Sequence, residues 1–216
     1  MLAADDATID DAADNETVYD DREPNDATTN SGRLRSALEK TPREAFVPAE
    51  LRSQAWLDAP LPIGFGQTIS QPTTVRLMLE WLDVGLGQAV LDVGSGSGWT
   101  SALLSRLVGN DGHVYAVELV PELLRLGKSQ SNKLKLTNLT FHQAGDTLGL
   151  PTKAPFDRIL VSAAASQIPS ELVDQLATGG KMVIPVRDAI LVISKSEKGE
   201  ITQQRYPGFI FVPLMQ

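Results

Sequence analysis

The chain has no cysteine, so it can form neither a disulfide nor a thiolate metal site, and it offers no cysteine nucleophile. Imidazole is nearly as scarce. His113 and His142 are the only histidines, too few for a histidine-based zinc site, and each reads as a surface or packing residue. Long apolar runs are also missing. No stretch approaches the ~18 consecutive apolar residues of a membrane span, and the opening MLAADDATIDDAADNETVYDD has neither the basic nor the apolar region of an export signal. A soluble, cytoplasmic protein with no membrane partner is expected.

Basic charge is almost absent from the first 30 residues, where ten Asp or Glu face Arg22 alone. The overall net charge of −8 therefore belongs to this segment, and the remaining 186 residues carry 17 acids and 18 bases. A body this close to neutral lacks the dense positive surface that holds nucleic acid, and an acidic segment repels phosphate further. Residues 1–30 also contain few large apolar side chains, so they cannot bury enough surface to offset the entropy of ordering them. They are expected to form a disordered acidic tail. Residues 31–216 then make one folded domain, long enough for a core of its own.

Within that body, SGRLRSALEK reads as a short helix with Ser31 as its cap and Leu34, Ala37 and Leu38 on one face. A second helix runs through PTTVRLMLEWL, opened by Pro72 and ended by Gly85, with Val75, Met78, Leu79 and Leu82 at helical spacing. From Ala89 the chain alternates. Short apolar strands AVLDVG, HVYAVE, LTFHQA, FDRILVSA and KMVIPV are separated by helical segments at Trp99–Gly109, Pro121–Leu134 and PSELVDQLATGG. Strands apolar on both faces and separated by helices predict an α/β fold with a doubly wound, mostly parallel, Rossmann-like sheet. The last two candidates, AILVISKS and FIFVPLMQ, have no helix between them and predict an antiparallel C-terminal hairpin.

Two loops stand out. GFGQTISQP, Gly64 to Pro72, places two glycines, two hydroxyls and two side-chain amides in nine positions without apolar periodicity. It suits a functional loop and a well-capped connection equally. LDVGSGSGWT follows the first strand of the alternating region, where open sheets of this kind bind ligands. Gly94, Gly96 and Gly98 allow sharp turning and leave the backbone bare toward a ligand, although tight strand-to-helix packing would also call for glycine. The spacing departs from the G-x-G-x-x-G of dinucleotide sites and fits S-adenosylmethionine better. Glu118 ends the next strand 24 residues after Gly94, where a carboxylate can accept from both ribose hydroxyls. Asp146, after the third strand, is placed to accept from an adenine amino group.

In their order, PREAFVP, PLPIGFGQTISQP, LDVGSGSGWTSALLS, VYAVELVPELL, AGDTLG, APFDRILVSAAASQIP, LATGGKMVIPV and FVPL resemble the protein-L-isoaspartate O-methyltransferase family, from about Arg35 to Gln216. The glycine loop is common to many methyltransferases. GQTIS followed by proline, together with the closing FVPL, is much more specific. The resemblance implies a methyltransferase fold, S-adenosyl-L-methionine as cofactor, and isoaspartyl proteins or peptides as partners. A monomer is expected. The resemblance also implies Ser70 as the active-site residue, with Gln67, Thr68, Ile69 and Ser70 lining the substrate pocket. By the same resemblance Gly94, Gly96 and Gly98 cradle the methionine part of the cofactor, Glu118 the ribose, and Asp146 with Thr147 the adenine side. Asp157 reads as structural. Two features depart from the family pattern: the acidic start replaces a longer helical segment, and GDTLG is one residue shorter than G-D-G-T-x-G. Two rival readings stay open, a methyltransferase of similar fold acting on another carboxylate or a small molecule, and a catalytically silent cofactor-binding adaptor.

Overall fold

The computed structural model describes residues 29–215, so the expected disorder of the acidic tail falls outside the described residues apart from its last two positions. Helix α1, Asn30–Glu39, begins one residue ahead of Ser31. Its cap is Thr29, whose hydroxyl accepts from Gly32 N at 3.1 Å, and Leu34 and Ala37 face the core. Strands β1, Leu61–Gly64, and β2, Gln67–Ile69, then form a small antiparallel hairpin whose turn and second strand lie in the Gly64–Pro72 stretch read as a loop. Its tip is Phe65–Gly66, with φ of 56° and 71°, and positive φ at both central residues suits the twist of a two-residue hairpin turn.

Helix α2, Pro72–Leu82, carries its apolar face as the spacing predicted. It stops at Asp83 and not at Gly85. Asp83 takes the left-handed conformation at φ 54° and its N–H closes onto Leu79 O, a role that aspartate tolerates better than most residues. Then follow β3 (Ala89–Val93), α3 (Trp99–Val108), β4 (His113–Glu118), α4 (Pro121–Lys133), β5 (Leu139–Gln143), β6 (Phe156–Val161), α5 (Ser170–Gln175), β7 (Leu176–Val186), β8 (Ala189–Lys195) and β9 (Ile201–Pro207).

The large sheet has seven strands in the order β5-β4-β3-β6-β7-β8-β9. Its first five are parallel, while β7–β8 and β8–β9 are antiparallel. Successive residues serve opposite faces: Val90, Leu160 and Val183 join the core formed with α1, α2 and α3, whereas Leu91, Ile159, Val161, Met182 and Ile184 join a second core with Leu172 of α5. Both faces are thus covered, the condition that makes these strands predominantly apolar.

Two further features differ from the sequence expectation. Helix α5 ends at Gln175, and LATGG joins β7 through an irregularity in its pairing with β6. The partner of β8 is ITQQRYP and not FIFVPLMQ. An edge strand exposed along nearly its whole length needs no apolar alternation, so its sequence carries no signal of pairing. The apolar FIFVPLMQ does other work. Ala164 N donates to Val212 O at 2.8 Å and Leu214 N to Ala164 O at 2.9 Å, which lays this segment beside the chain leaving β6.

Candidate active site

β3 pairs with β4 on one side and β6 on the other, so the connections leaving its carboxyl end diverge and open a crevice there. The glycine loop fills the floor of that crevice. Gly94 and Gly96 adopt φ of 72° and 55°, which glycine reaches at no steric cost. Gly94 N and Ser95 N both donate to Val117 O, at 2.9 and 3.1 Å. The Glu118 carboxylate, 6% exposed, braces the loop: Oε2 accepts from Gly96 N at 2.7 Å and Oε1 from Val120 N at 2.9 Å. Each carboxylate oxygen has two acceptor directions, so each retains one for a ligand.

Glu118, Gly94 and Gly96 border a cleft of about 760 Å³ whose other walls include Leu119, Gly145, Thr147, Leu148 and Leu214. A second cleft of about 790 Å³ is bordered by Pro60, Ser70, Gln71 and Phe211. Thr68, Ser162 and Val212 line both, so the two clefts share one wall. Between them a smaller recess puts Ser70 and Ile69 opposite Gly94, Ser95, Gly96 and Ser97. The hairpin lies directly over the glycine loop, since a Cβ on Gly96 would stand 3.3 Å from Ile63 Cδ1.

Burial leaves polar atoms around the loop in need of a partner. Asp92 is fully enclosed, and that burial pushes its carboxyl up to about 6. Hydrogen bonds from Ser101 Oγ at 2.6 Å and Thr100 Oγ1 at 2.9 Å oppose the shift, and the nearby Glu118 charge reinforces it. Its other oxygen, Oδ1, and the buried hydroxyls of Ser95 and Ser97 have no hydrogen-bond partner among the described residues. Unpartnered buried groups carry a desolvation cost that a polar ligand relieves. The Ser95 and Ser97 hydroxyls border the recess beside Ser70, and with the Glu118 carboxylate and apolar Leu119, Leu148 and Leu214 of the adjoining cleft they make a set of polar and apolar groups that fits an amino-acid head, a ribose and a flat base. S-adenosyl-L-methionine joins these three pieces.

The family model described as protein-L-isoaspartate(D-aspartate) O-methyltransferase (PCMT) matches residues 15–216. The chain belongs to this family. A protein-L-isoaspartate O-methyltransferase of Methanopyrus kandleri is 46% identical over 190 residues, covering 86% of this chain and 84% of that one. One of Methanothrix thermoacetophila is 45% identical, covering 86% and 89%. A solved structure of a protein-L-isoaspartate O-methyltransferase superposes with TM-score 0.76 at 26% identity, covering 85% of this chain and 61% of that one. Another, from Plasmodium falciparum and assigned to the same activity, was solved with S-adenosyl-L-homocysteine and gives TM-score 0.74 at 25% identity, covering 85% and 90%.

Against this family background the individual residues fall into distinct places. Gln67 and Thr68 border the cleft floored by the glycine loop, and Thr68 and Ser70 the other. Ile69 turns its side chain into the core, leaving its backbone toward the recess. Thr147 lines the cleft floored by the glycine loop, whereas Asp146 is exposed at its rim between lining neighbours Gly145 and Thr147. Gly98 lies outside the cleft walls: a Cβ there would meet Gly127 Cα at 2.9 Å, so its glycine is required by the packing of α3 against α4. Asp157 accepts from Ala89 N at 2.8 Å and ties β6 to the start of β3, a structural contact.

Sequence reading passed over Ser162, which follows β6 and borders both clefts, because a lone serine after a strand carries no signal. It also passed over Gln175. This buried amide donates to Leu148 O at 2.8 Å and accepts from Leu150 N at 2.7 Å, so it holds the shortened GDTLG segment against α5. A Cβ on Gly149, φ 82°, would stand 2.5 Å from Gln175 Oε1, which fixes glycine at that position.

Proposed function

We propose that the protein methylates the free α-carboxylate of L-isoaspartyl residues in damaged proteins and peptides, the first step of their repair through a succinimide. The observation that carries this reading is the shared wall at Thr68 and Ser162, across which a cleft floored by the glycine loop meets a cleft holding Ser70. Bound S-adenosyl-L-methionine supplies the electrophilic methyl and leaves as S-adenosyl-L-homocysteine. In this reading Gly94 and Gly96 hold its methionine part, Glu118 its ribose, and Asp146 with Thr147 its adenine side. Gly98 serves by letting α3 approach α4.

An isoaspartyl residue continues the chain through its side-chain carbonyl and leaves the α-carboxylate free. Such a carboxyl has a pKa of ~3.3–3.7, so it is an anion at neutral pH and needs no general base. The protein's task is to hold this anion in line with the methyl group, an effect worth several powers of ten in rate. It must also strip part of the anion's water without quenching its nucleophilicity. The Ser70 hydroxyl and the backbone of Gln67, Thr68 and Ile69 are neutral donors and acceptors suited to that balance, where an arginine clamp would hold the anion too tightly.

The test is methyl transfer to matched isoaspartyl and normal aspartyl peptides. The isoaspartyl peptide should acquire a base-labile methyl ester and the normal one none. Equal labelling of both would favour a methyltransferase acting on other carboxylates, and cofactor binding with no transfer to any peptide would favour the adaptor.

The same reading takes the protein as a cytoplasmic monomer without a nucleic-acid or membrane partner, and among the described residues no helix is long and apolar enough to cross a membrane. It also treats the acidic segment as dispensable. A chain beginning at Thr29 should keep its melting temperature and turnover, because Thr29 preserves the α1 cap. Beginning at Ser31 instead removes that cap and should cost about 1 kcal/mol in chemical denaturation. Loss of turnover in the Thr29 variant would show that the acidic segment contributes to the active domain.

A further inference from the structure

Arg43, from the PREAFVP segment, is a cation with 0% of its surface exposed and no carboxylate paired to it among the described residues. Its guanidinium is spent on neutral main-chain oxygens. It donates to Ala55 O, to Ala59 O at 3.1 Å, to Ser70 O at 2.9 Å and, at the long limit of 3.4 Å, to Ile69 O. Its carbon centre lies 5.4 Å from the ring centroid of Trp99, the first residue of α3 after the glycine loop. Burial pulls its pKa down to about 10, partly offset by Asp58, so it remains a cation at neutral pH.

Enclosing a cation with no carboxylate in direct contact is costly, and for stability alone a well-packed apolar residue often does as well or better. The contacts show where the cation acts. Ser70 O precedes Gln71 O, the first carbonyl accepted into the α2 ladder, so helix α2 does not restrain it. Arg43 restrains it. The same planar fork rests on Trp99, which shares the recess with Ser70, Gly94 and Gly96. One side chain thus spans the exit of the hairpin and the start of α3, the two elements that flank the recess.

We propose that Arg43 is the positioning residue of the substrate side: it fixes the distance between Ser70 and the glycine loop, and so the line along which a carboxylate approaches the methyl donor. The inference rests on the reading of Ser70 given above. Lysine cannot replace it, because a single ammonium presents no planar fork and cannot reach carbonyls on both sides while staying over the indole.

The test is a double-mutant cycle in the full chain with Arg43→Lys and Ser70→Ala, read by kcat and KM for an isoaspartyl peptide and by calorimetric cofactor binding. Arg43→Lys should lower kcat by ~10-fold or more while cofactor Kd stays within about twofold, since misplacement at the reacting centre costs rate and not ground-state affinity. In the Ser70→Ala background the same change should cost little, because the hydroxyl it positions is gone. Fully multiplicative losses, or an unchanged kcat, would overturn the proposal. Arg43→Gln, which drops the buried charge and keeps one N–H₂ group, enters the same cycle if Arg43→Lys does not fold. Failure of both to fold would also count against it, by assigning Arg43 to the fold and not to the site. An unmodified enzyme inactive on the peptide would refute the functional reading itself, a result distinct from all of these.

Discussion

Glu118→Ala is expected to weaken S-adenosyl-L-methionine binding by ~10²–10⁴-fold in calorimetry, because two hydrogen bonds to a charged acceptor are lost at about 1.5–3 kcal/mol each. The structure adds a second reason. The carboxylate holds Gly96 N and Val120 N, so its removal also releases the floor of the cleft on which the methionine part would rest. Glu118→Gln should fall between parent and alanine, since its amide oxygen can keep one of these contacts while its NH₂ faces a backbone N–H and repels it. NAD should show no heat at the same concentration, as the third glycine arrives one residue early for a pyrophosphate turn. Parent-like affinity in Glu118→Ala would remove the ribose from this carboxylate.

The second large effect belongs to Ser70. Ser70→Ala should leave cofactor affinity near the parent value while methyl transfer to an isoaspartyl peptide falls toward ~10²-fold, or less where water replaces the hydroxyl. The fold is not at stake, since the neighbouring Ile69 carries the apolar contact and Arg43 holds the backbone oxygen of Ser70. Ser70→Thr should be intermediate: it retains the hydroxyl and adds a methyl group that stiffens χ1 in a crowded recess. Stopped-flow turnover with saturating cofactor separates these cases. Full activity in Ser70→Ala would reduce this serine to a loop residue.

The sheet was legible because its central strands are mostly buried on both faces and so are dominated by apolar residues, as in AVLDV and FDRILV, where Asp92, Asp157 and Arg158 are the exceptions. The cleft beside the glycine loop was legible too. A sharp turn at Gly94 and Gly96 and an acid at the next strand end are local demands that one sequence can display. What escaped was set by tertiary contact. β9 is polar and exposed at a sheet edge, while the apolar FVPL that seemed a better strand forms a wall of both clefts, with Ile210 just before it 94% exposed. The hairpin in LPIGFGQTI is too short for periodicity, and its tip depends on Phe65 accepting a positive φ that phenylalanine does not advertise. Remote braces were equally silent. Asp58, on a separate turn, accepts from Thr73 N and Gln71 Nε2, each at 2.9 Å, and so caps α2. Those hydrogen bonds hold its carboxyl below the usual range.

The claim of repair is tested most directly by following one isoaspartyl peptide through repeated turnover with S-adenosyl-L-methionine, separating isoaspartyl, succinimide and normal aspartyl forms by chromatography and mass spectrometry. The account predicts a transient methyl ester, then succinimide, then a rising share of normal aspartyl peptide that depends on both enzyme and methyl donor. A stable ester with no aspartyl product, or methylation of the normal peptide at the same rate, would contradict it.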